Sequence, residues 1–302
     1  MNPALNRLPQ GSRIVVIRLR SLGDCVLTTP AIALLKAHRP DLEIGVVVED
    51  RFGGAFEGNP DVTALLPPDL AAIAKWRPKM ALNFHGGTRS MWLMLASRAP
   101  IRAGFAHHVW SVVYNERIPR AQQTLGKERP VHTAEHLASA MFWLGVPRTE
   151  IPRAKLVAAP RTGEGSYAVL HAFASAPEKA WAADRFVAVA RHLKDAGLKP
   201  VFLAGPADDV SPFSGFEVHR NAPLSEVKSI LSGAQLFIGN DSGPAHIAAA
   251  FGVPVVVLFG PSNPVTWAPW RTEAQVLTSA EGMAGVSVAD VTAAAESLRV
   301  RA

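Results

Sequence analysis

The amino-acid sequence predicts an α/β protein built as two parallel-sheet domains, and three observations carry that expectation. Short β-branched runs alternate with longer amphipathic stretches, the rhythm of strands joined by crossover helices. The alternation occurs twice. Between residues 146 and 166 it lapses into a stretch holding Pro147, Pro152, Pro160, Gly163 and Gly165, which reads as a linker. The chain has 302 residues, the length of about two domains. The expected domains are therefore 1–150 and 151–302.

In the first half, 13–18 (RIVVIR) reads as a buried strand, 28–38 as a helix with Pro30 in its first turn, and 43–48 as the next strand, which makes a βαβ unit. Residues 79–84, 89–97 and 101–104 repeat the strand–helix–strand order, and 133–145 reads as a further helix. The second series runs strand 167–171, helix 183–196, strand 200–204, helix 225–232, strand 236–239, helix 244–251 and strand 253–259. Residues 288–300 read as a closing helix with Ser287 placed to cap its start. Two such domains are expected to turn the C-terminal ends of their strands toward a shared cleft, where ligand binds.

Hydrophobic residues make up 48% and charged residues 19%, a balance that excludes a disordered or fibrous chain. No run of about 18 apolar residues is present. The most apolar stretch, 245–259, is interrupted by His246, Gly252 and Pro254. Residues 1–11 lack the long apolar centre of a signal peptide, so a cytoplasmic protein is expected. The single Cys25 excludes an internal disulfide and reads as a small buried apolar side chain. Residues 1–150 carry 18 Lys and Arg against 12 Asp and Glu, whereas 151–302 carry 13 of each, so the first half holds the whole net charge of +6. Such a half suits an anionic partner: a phosphorylated lipid, a membrane surface or nucleic acid. Ordinary solubilising charge is the alternative.

Four runs carry candidate chemistry. Arg18-Leu19-Arg20-Ser21-Leu22-Gly23-Asp24 follows the first strand, and Asp24 presents a carboxylate that can take a proton from a hydroxyl nucleophile, or merely caps a helix. Asn240-Asp241-Ser242-Gly243-Pro244-Ala245-His246 follows a strand and opens a helix whose first N–H groups, at Ser242 and Gly243, can hold a diphosphate. Capping by Asp241 or Ser242 is the simpler reading, and His246 reads as a packed histidine. In 171–181, Lys179 offers a point charge and Ser175 a hydrogen bond to phosphate. In 205–209, Asp208 and Asp209 offer acceptors for ribose hydroxyls or a helix cap.

In this order the runs resemble the glycosyltransferases that include the bacterial ADP-heptose:lipopolysaccharide heptosyltransferases, glycosyltransferase family 9. Ser21-Leu22-Gly23-Asp24 resembles the family's Ser-x-Gly-Asp loop, Lys179-Ala180-Trp181 its Lys-x-Trp element, and Asp241 to His246 its Asp-[Ser/Thr]-Gly-x-x-His signature. Arg102-Ala103-Gly104-Phe105 and Gly260-Pro261-Ser262-Asn263-Pro264 resemble two further elements, and the likeness spans about 13–270. The resemblance implies a GT-B architecture of two Rossmann-like domains, the first binding acceptor and the second the nucleotide sugar. It implies inverting, metal-independent transfer of heptose from ADP-heptose to a hydroxyl of the phosphorylated lipopolysaccharide inner core, with no cofactor. Carried over residue by residue, Asp24 is the general base. Ser175, Lys179, Asp209, Asp241, Ser242 and Gly243 bind the donor, and Arg18 and Ser21 the acceptor or a phosphate. The expected location is peripheral to the cytoplasmic face of the inner membrane, against an anionic surface.

Other readings keep the fold and change the function: another nucleotide sugar for a surface glycan, or a non-catalytic nucleotide-sugar-binding protein. A nicotinamide-dependent oxidoreductase is disfavoured because the first strand–helix turn lacks Gly-x-Gly-x-x-Gly. Nucleic acid is not an expected partner, because the basic residues are dispersed and no base-reading motif is present.

Overall fold

The computed structural model describes residues 3–159 and 165–299. Residue 300 of the expected closing helix, and Pro160 and Gly163 of the expected linker, lie outside the described residues. The chain divides into two compact units, Met1–Val157 and Ala158–Ala302.

The first unit runs β1 (Arg13–Ile17), α1 (Leu22–His38), β2 (Glu43–Val47), α2 (Asp50–Gly53), β3 (Ala64–Leu66) and α3 (Leu70–Trp76). It continues with β4 (Met80–Asn83), α4 (Thr88–Ala96), β5 (Ile101–Phe105), β6 (Glu116–Ile118), α5 (Ala121–Leu125) and α6 (Thr133–Leu144). The second unit runs β7 (Tyr167–His171), α7 (Ala183–Asp195), β8 (Lys199–Ala204), β9 (Glu217–Arg220), α8 (Leu224–Ser232) and β10 (Leu236–Asn240). It ends with α9 (Gly243–Phe251), β11 (Val255–Leu258), α10 (Pro264–Trp267), β12 (Ala274–Leu277) and α11 (Val288–Arg299).

Each unit forms one six-stranded parallel sheet, ordered β3-β2-β1-β4-β5-β6 in the first and β9-β8-β7-β10-β11-β12 in the second. Both therefore have the doubly wound order 3-2-1-4-5-6, whose switch point lies between strands one and four, where ligands bind in such sheets. The central strands are apolar and buried on both faces, with Ile14 to Ile17 and Leu236 to Ile238 nearly inaccessible. Crossover helices cover them with a single apolar stripe: α7 buries Phe186, Val189, Ala190 and Leu193, the i, i+3, i+4, i+7 spacing of one helix face. No helix of the described residues is long and apolar enough to cross a membrane.

The first helix departs from expectation. It begins at Leu22 rather than residue 28, so Pro30 lies inside it and not in its first turn. Ser21 and Asp24 supply the start as a Ser-x-x-Asp box. Proline removes the N–H that would bond the Val26 carbonyl, and the Thr29 hydroxyl donates to that carbonyl instead, at 2.8 Å. The expected capping of α11 takes the form of an Asp290 N–H donating to Ser287 Oγ at 3.1 Å, with Ser287 Oγ donating back to Asp290 at 2.6 Å.

Candidate active site

At the switch point of the first unit, β1 hands the chain to α1 through Arg18, Leu19, Arg20 and Ser21. Asp24 sits one turn into the helix. Its Oδ2 accepts from the Ser21 N–H at 3.2 Å and the Ser21 hydroxyl at 3.0 Å, and its Oδ1 accepts from Arg18 Nη1 at 3.2 Å. Three donors thus fix a carboxylate that keeps 22% of its side-chain surface open, while the Arg18 side chain keeps only 8%. Burial of the Arg18 guanidinium lowers its pKa, and the Asp24 charge opposes that shift. The Arg18 Nε is buried with no hydrogen-bond partner. Cys25 beside it is buried, its thiol pushed up to about 12 by burial first.

β4 ends at the same edge in Asn83, which is fully buried. Its Oδ1 accepts the His85 and Gly86 N–H groups, both at 3.0 Å, and its Nδ2 donates to Ser90 Oγ at 3.1 Å and Tyr114 Oη at 3.0 Å. Tyr114 in turn bonds His108 Nδ1 at 3.1 Å. A side chain on Gly104 would begin 2.5 Å from the Tyr114 ring, and one on Gly86, whose φ is +81°, would begin 2.7 Å from His108. Those close approaches explain both glycines. Arg102 donates to the Val113 carbonyl at 2.9 Å, and Phe105 stacks on His136 at 3.9 Å, so Arg102-Ala103-Gly104-Phe105 acts as a packing element.

The result is a cluster of four histidines drawn from three places in the chain, at 85, 107–108 and 136. His107 lies 5.2 Å from His108 and 5.5 Å from His136, centroid to centroid. Burial first, then neighbouring histidines and Arg18, push His108 and His136 down to about 4. Burial also lowers His85 and His107. No group of three His, Cys, Asp or Glu among the described residues is arranged to hold a metal ion.

The second unit builds its counterpart on β7 and β10, paired with Gly239 opposite His171. A side chain on Gly239 would begin 2.9 Å from the His171 carbonyl oxygen, so this pairing requires glycine. Here too a fully buried asparagine ends the fourth strand. Asn240 Nδ2 donates to the Ala172 carbonyl at 2.9 Å and its Oδ1 accepts the Trp181 N–H at 3.1 Å. Asn240 thereby clamps both ends of the loop that carries Ser175 and Lys179. The Trp181 indole donates to the Val286 carbonyl at 2.9 Å, which anchors the far end of that loop in the core.

Lys179 Nζ lies 3.8 Å from Asp241 Oδ2, with 29% of the lysine side chain exposed and 12% of the aspartate's. Ser242 is the N-cap residue of α9, but its hydroxyl does not cap. It shares a 3.1 Å hydrogen bond with His171 Nδ1. Capping by Ser242, one alternative to a diphosphate site, is thus not how this helix starts, and the N–H of Gly243, its first residue, has no intrahelical acceptor. Gly260 lets the 259–264 turn press against the Lys179 turn, since a side chain there would begin 2.6 Å from the Glu178 carbonyl oxygen. His171 is pushed down to about 4 by burial, with Asp208 opposing.

The structure brings Arg18, Ser21 and Asp24 together, and Lys179, Asp241, Ser242 and Gly243 together. Ser175 is exposed on the clamped loop. Asp209 accepts the Ser211 N–H at 3.0 Å, just before a 3-10 turn, and Asp208 accepts the Gly205 N–H at 2.7 Å. Asn83, Asn240, His171 and the four-histidine cluster join these sites with no motif in the sequence to announce them. Only the position of each asparagine, last in an apolar strand and just before a polar turn, signalled them.

The depressed histidines make stability pH-dependent. Unfolded, each titrates near 6.5, and His108, His136 and His171 titrate near 4 when folded. Between these values the unfolded chain binds more protons, so their contribution is present above pH 6.5 and is lost as pH falls through 4. Denaturant midpoints are expected to fall steadily from pH 7 to pH 4.5. A flat profile contradicts this.

Two doubly wound units, each ending strands one and four in a polar cluster, define an α/β protein of the GT-B glycosyltransferase class. The chain belongs to glycosyltransferase family 9 (heptosyltransferase), whose family model matches residues 77–292. It is 28% identical over 297 residues to lipopolysaccharide heptosyltransferase 3 of Escherichia coli, covering 83% of this chain and 84% of that protein. In structure it resembles the family 9 glycosyltransferase of Veillonella parvula, with a TM-score of 0.85, 24% identity, and 96% and 98% of the two chains covered. It also resembles the E. coli heptosyltransferase WaaC with ADP, with a TM-score of 0.79, 19% identity, and 95% and 99% covered.

Proposed function

We propose that this enzyme is an inverting, metal-independent transferase that moves heptose from ADP-heptose to a hydroxyl of the lipopolysaccharide inner core, on lipid A-linked Kdo or a core heptose. The observation that carries the reading is the start of α9. A cation, Lys179, and a carboxylate, Asp241, lie 3.8 Å apart there beside the N–H groups of Ser242 and Gly243 at the helix start. That set matches a sugar diphosphate, with Asp241 on sugar hydroxyls and Lys179 and the helix start on the diphosphate. Ser175 adds a hydrogen bond to phosphate and Asp209 reaches the ribose. The family supports the sugar, the E. coli relative the lipopolysaccharide acceptor, and the neighbour with ADP the nucleotide.

The second unit is the donor-binding domain and the first the acceptor-binding domain. Asp24 takes the proton of the acceptor hydroxyl as its oxygen bonds to the anomeric carbon. The bond from that carbon to the diphosphate breaks, its electron pair leaves on the diphosphate oxygen, and the configuration inverts. Lys179 and the α9 N–H groups stabilise that charge where other enzymes use a metal ion. Arg18 and Ser21 hold Asp24 and bind acceptor or phosphate. The enzyme works at the cytoplasmic face of the inner membrane, held by an anionic surface, and nucleic acid is not a partner.

A thermal-shift panel tests the donor. With a chelator present, ADP at about 100 times its dissociation constant adds about 2.7 kcal/mol, a rise of several degrees. ADP is expected to give that rise, and UDP and GDP none. A rise with UDP or GDP alone, or one that needs a divalent ion, contradicts the reading.

A further inference from the structure

The candidate site leaves one surface of the first unit unexplained. Val109 is 85% exposed and Val112 72%, both in the loop after β5, and Trp92 on α4 is 57% exposed. Single exposed apolar residues are ordinary, but these are tied together. Trp110, exposed in the same loop, donates its indole N–H to Thr88 Oγ1 at 3.0 Å, at the first residue of α4. Arg89, Trp92 and Leu95 follow at i, i+3 spacing along one face of that helix, all exposed. Arg89 also donates to the Pro68 carbonyl at 3.3 Å, which joins α4 to the start of α3 and exposed Leu70.

The charge of this region is mainly basic. Residues 70–115 contain six Lys and Arg and no Asp or Glu, between Asp69 and Glu116; Arg89 is exposed on the α4 face beside Trp92, and Arg98 is exposed just past the end of that helix. Arg89 lies 3.8 Å from Glu49 yet keeps 60% of its side chain open. Tryptophan and aliphatic side chains set among cations match a lipid interface, where indole sits at headgroup depth, valine enters the acyl boundary and basic groups meet anionic headgroups. A protein partner's interface core is instead depleted in charge. The valines also stand out from the surface rather than lining a recess.

We propose that the loop at 107–113 and the exposed face of α4 are the surface by which this protein docks on an anionic lipid bilayer, with Val109 and Val112 entering it. The loop begins in the histidine cluster beside Arg18, so docking presents the candidate acceptor site to the membrane. The proposal rests on the reading that the acceptor is lipid-linked. Its test needs neither donor nor acceptor.

Vesicles of phosphatidylcholine with phosphatidylglycerol, and of phosphatidylcholine alone, are sedimented with the wild type and with a V109S/V112S double variant. The wild type is expected to bind the anionic vesicles and be released by high salt. The double variant is expected to bind about tenfold more weakly with an unchanged thermal midpoint. A V112C variant carrying an environment-sensitive dye, with Cys25 buried and unlabelled, should report an apolar environment only on anionic vesicles. Equal binding of wild type and double variant overturns the proposal, as does absence of wild-type binding. So does a change in self-association, rather than vesicle binding, in the double variant. Vesicle binding without transfer to a water-soluble phosphorylated core acceptor would sink the proposed function and leave this surface standing.

Discussion

Asp24→Asn is expected to lower kcat by about 10²- to 10⁴-fold, the usual worth of a general base, while the dissociation constant for ADP stays within about twofold. Asparagine is the informative replacement because Asp24 has two jobs. It accepts from Ser21 and it faces a buried guanidinium, so either replacement takes the counter-charge from Arg18, at about 3–5 kcal/mol, and Asp24→Ala removes the acceptor for Ser21 as well. The amide keeps the shape and an acceptor for Ser21 but cannot take a proton. If Asp24 serves only the helix start and Arg18, Asp24→Asn will lower the thermal midpoint and leave turnover intact. That result would defeat the general-base assignment. Single-turnover rates with saturating donor, measured beside thermal midpoints, separate the two.

The largest expected loss of stability is at Asn240. Asn240→Ala leaves the Trp181 N–H and the Ala172 carbonyl buried without their partner. Each such group costs about 1–3 kcal/mol, against a total stability of about 5–15 kcal/mol. The same change frees both ends of the loop that carries Lys179, so KM for the donor should rise by more than kcat falls. Urea unfolding followed by initial rates on the surviving folded enzyme measures both. An unchanged donor KM in a destabilised Asn240→Ala protein would show that Asn240 holds the core and does not position Lys179.

The central strands and long helices were legible in the sequence because burial on both faces demands continuous β-branched runs, and the helices carry a clear apolar stripe. Four strands went unread, β3, β6, β9 and β12, and all four are sheet edges. An edge strand is half solvated, so Glu116-Arg117-Ile118 or Glu217-Val218-His219-Arg220 carries no apolar run to announce it. The start of α1 was missed for a different reason: Pro30 suggested a first turn, and the rescue of the Val26 carbonyl by Thr29 is a side-chain bond that periodicity does not register. The polar runs that end β1 and β10 stood out because helix starts demand small and hydrogen-bonding residues. The Asn240 clamp, the His171–Ser242 bond and the histidine cluster did not, since each joins segments separated by tens of residues, and only the sheet order brings them together.

The most direct test of the account is transfer itself. ADP-heptose is incubated, with EDTA present, with Kdo-bearing lipid A and with a heptosylated core acceptor, and the products are analysed by mass spectrometry and NMR. One of these acceptors is expected to gain a single heptose of inverted anomeric configuration, with one ADP released per transfer, and Asp24→Asn to slow the gain by about 10²- to 10⁴-fold. No transfer to either acceptor, or transfer only from a UDP- or GDP-sugar, would contradict it.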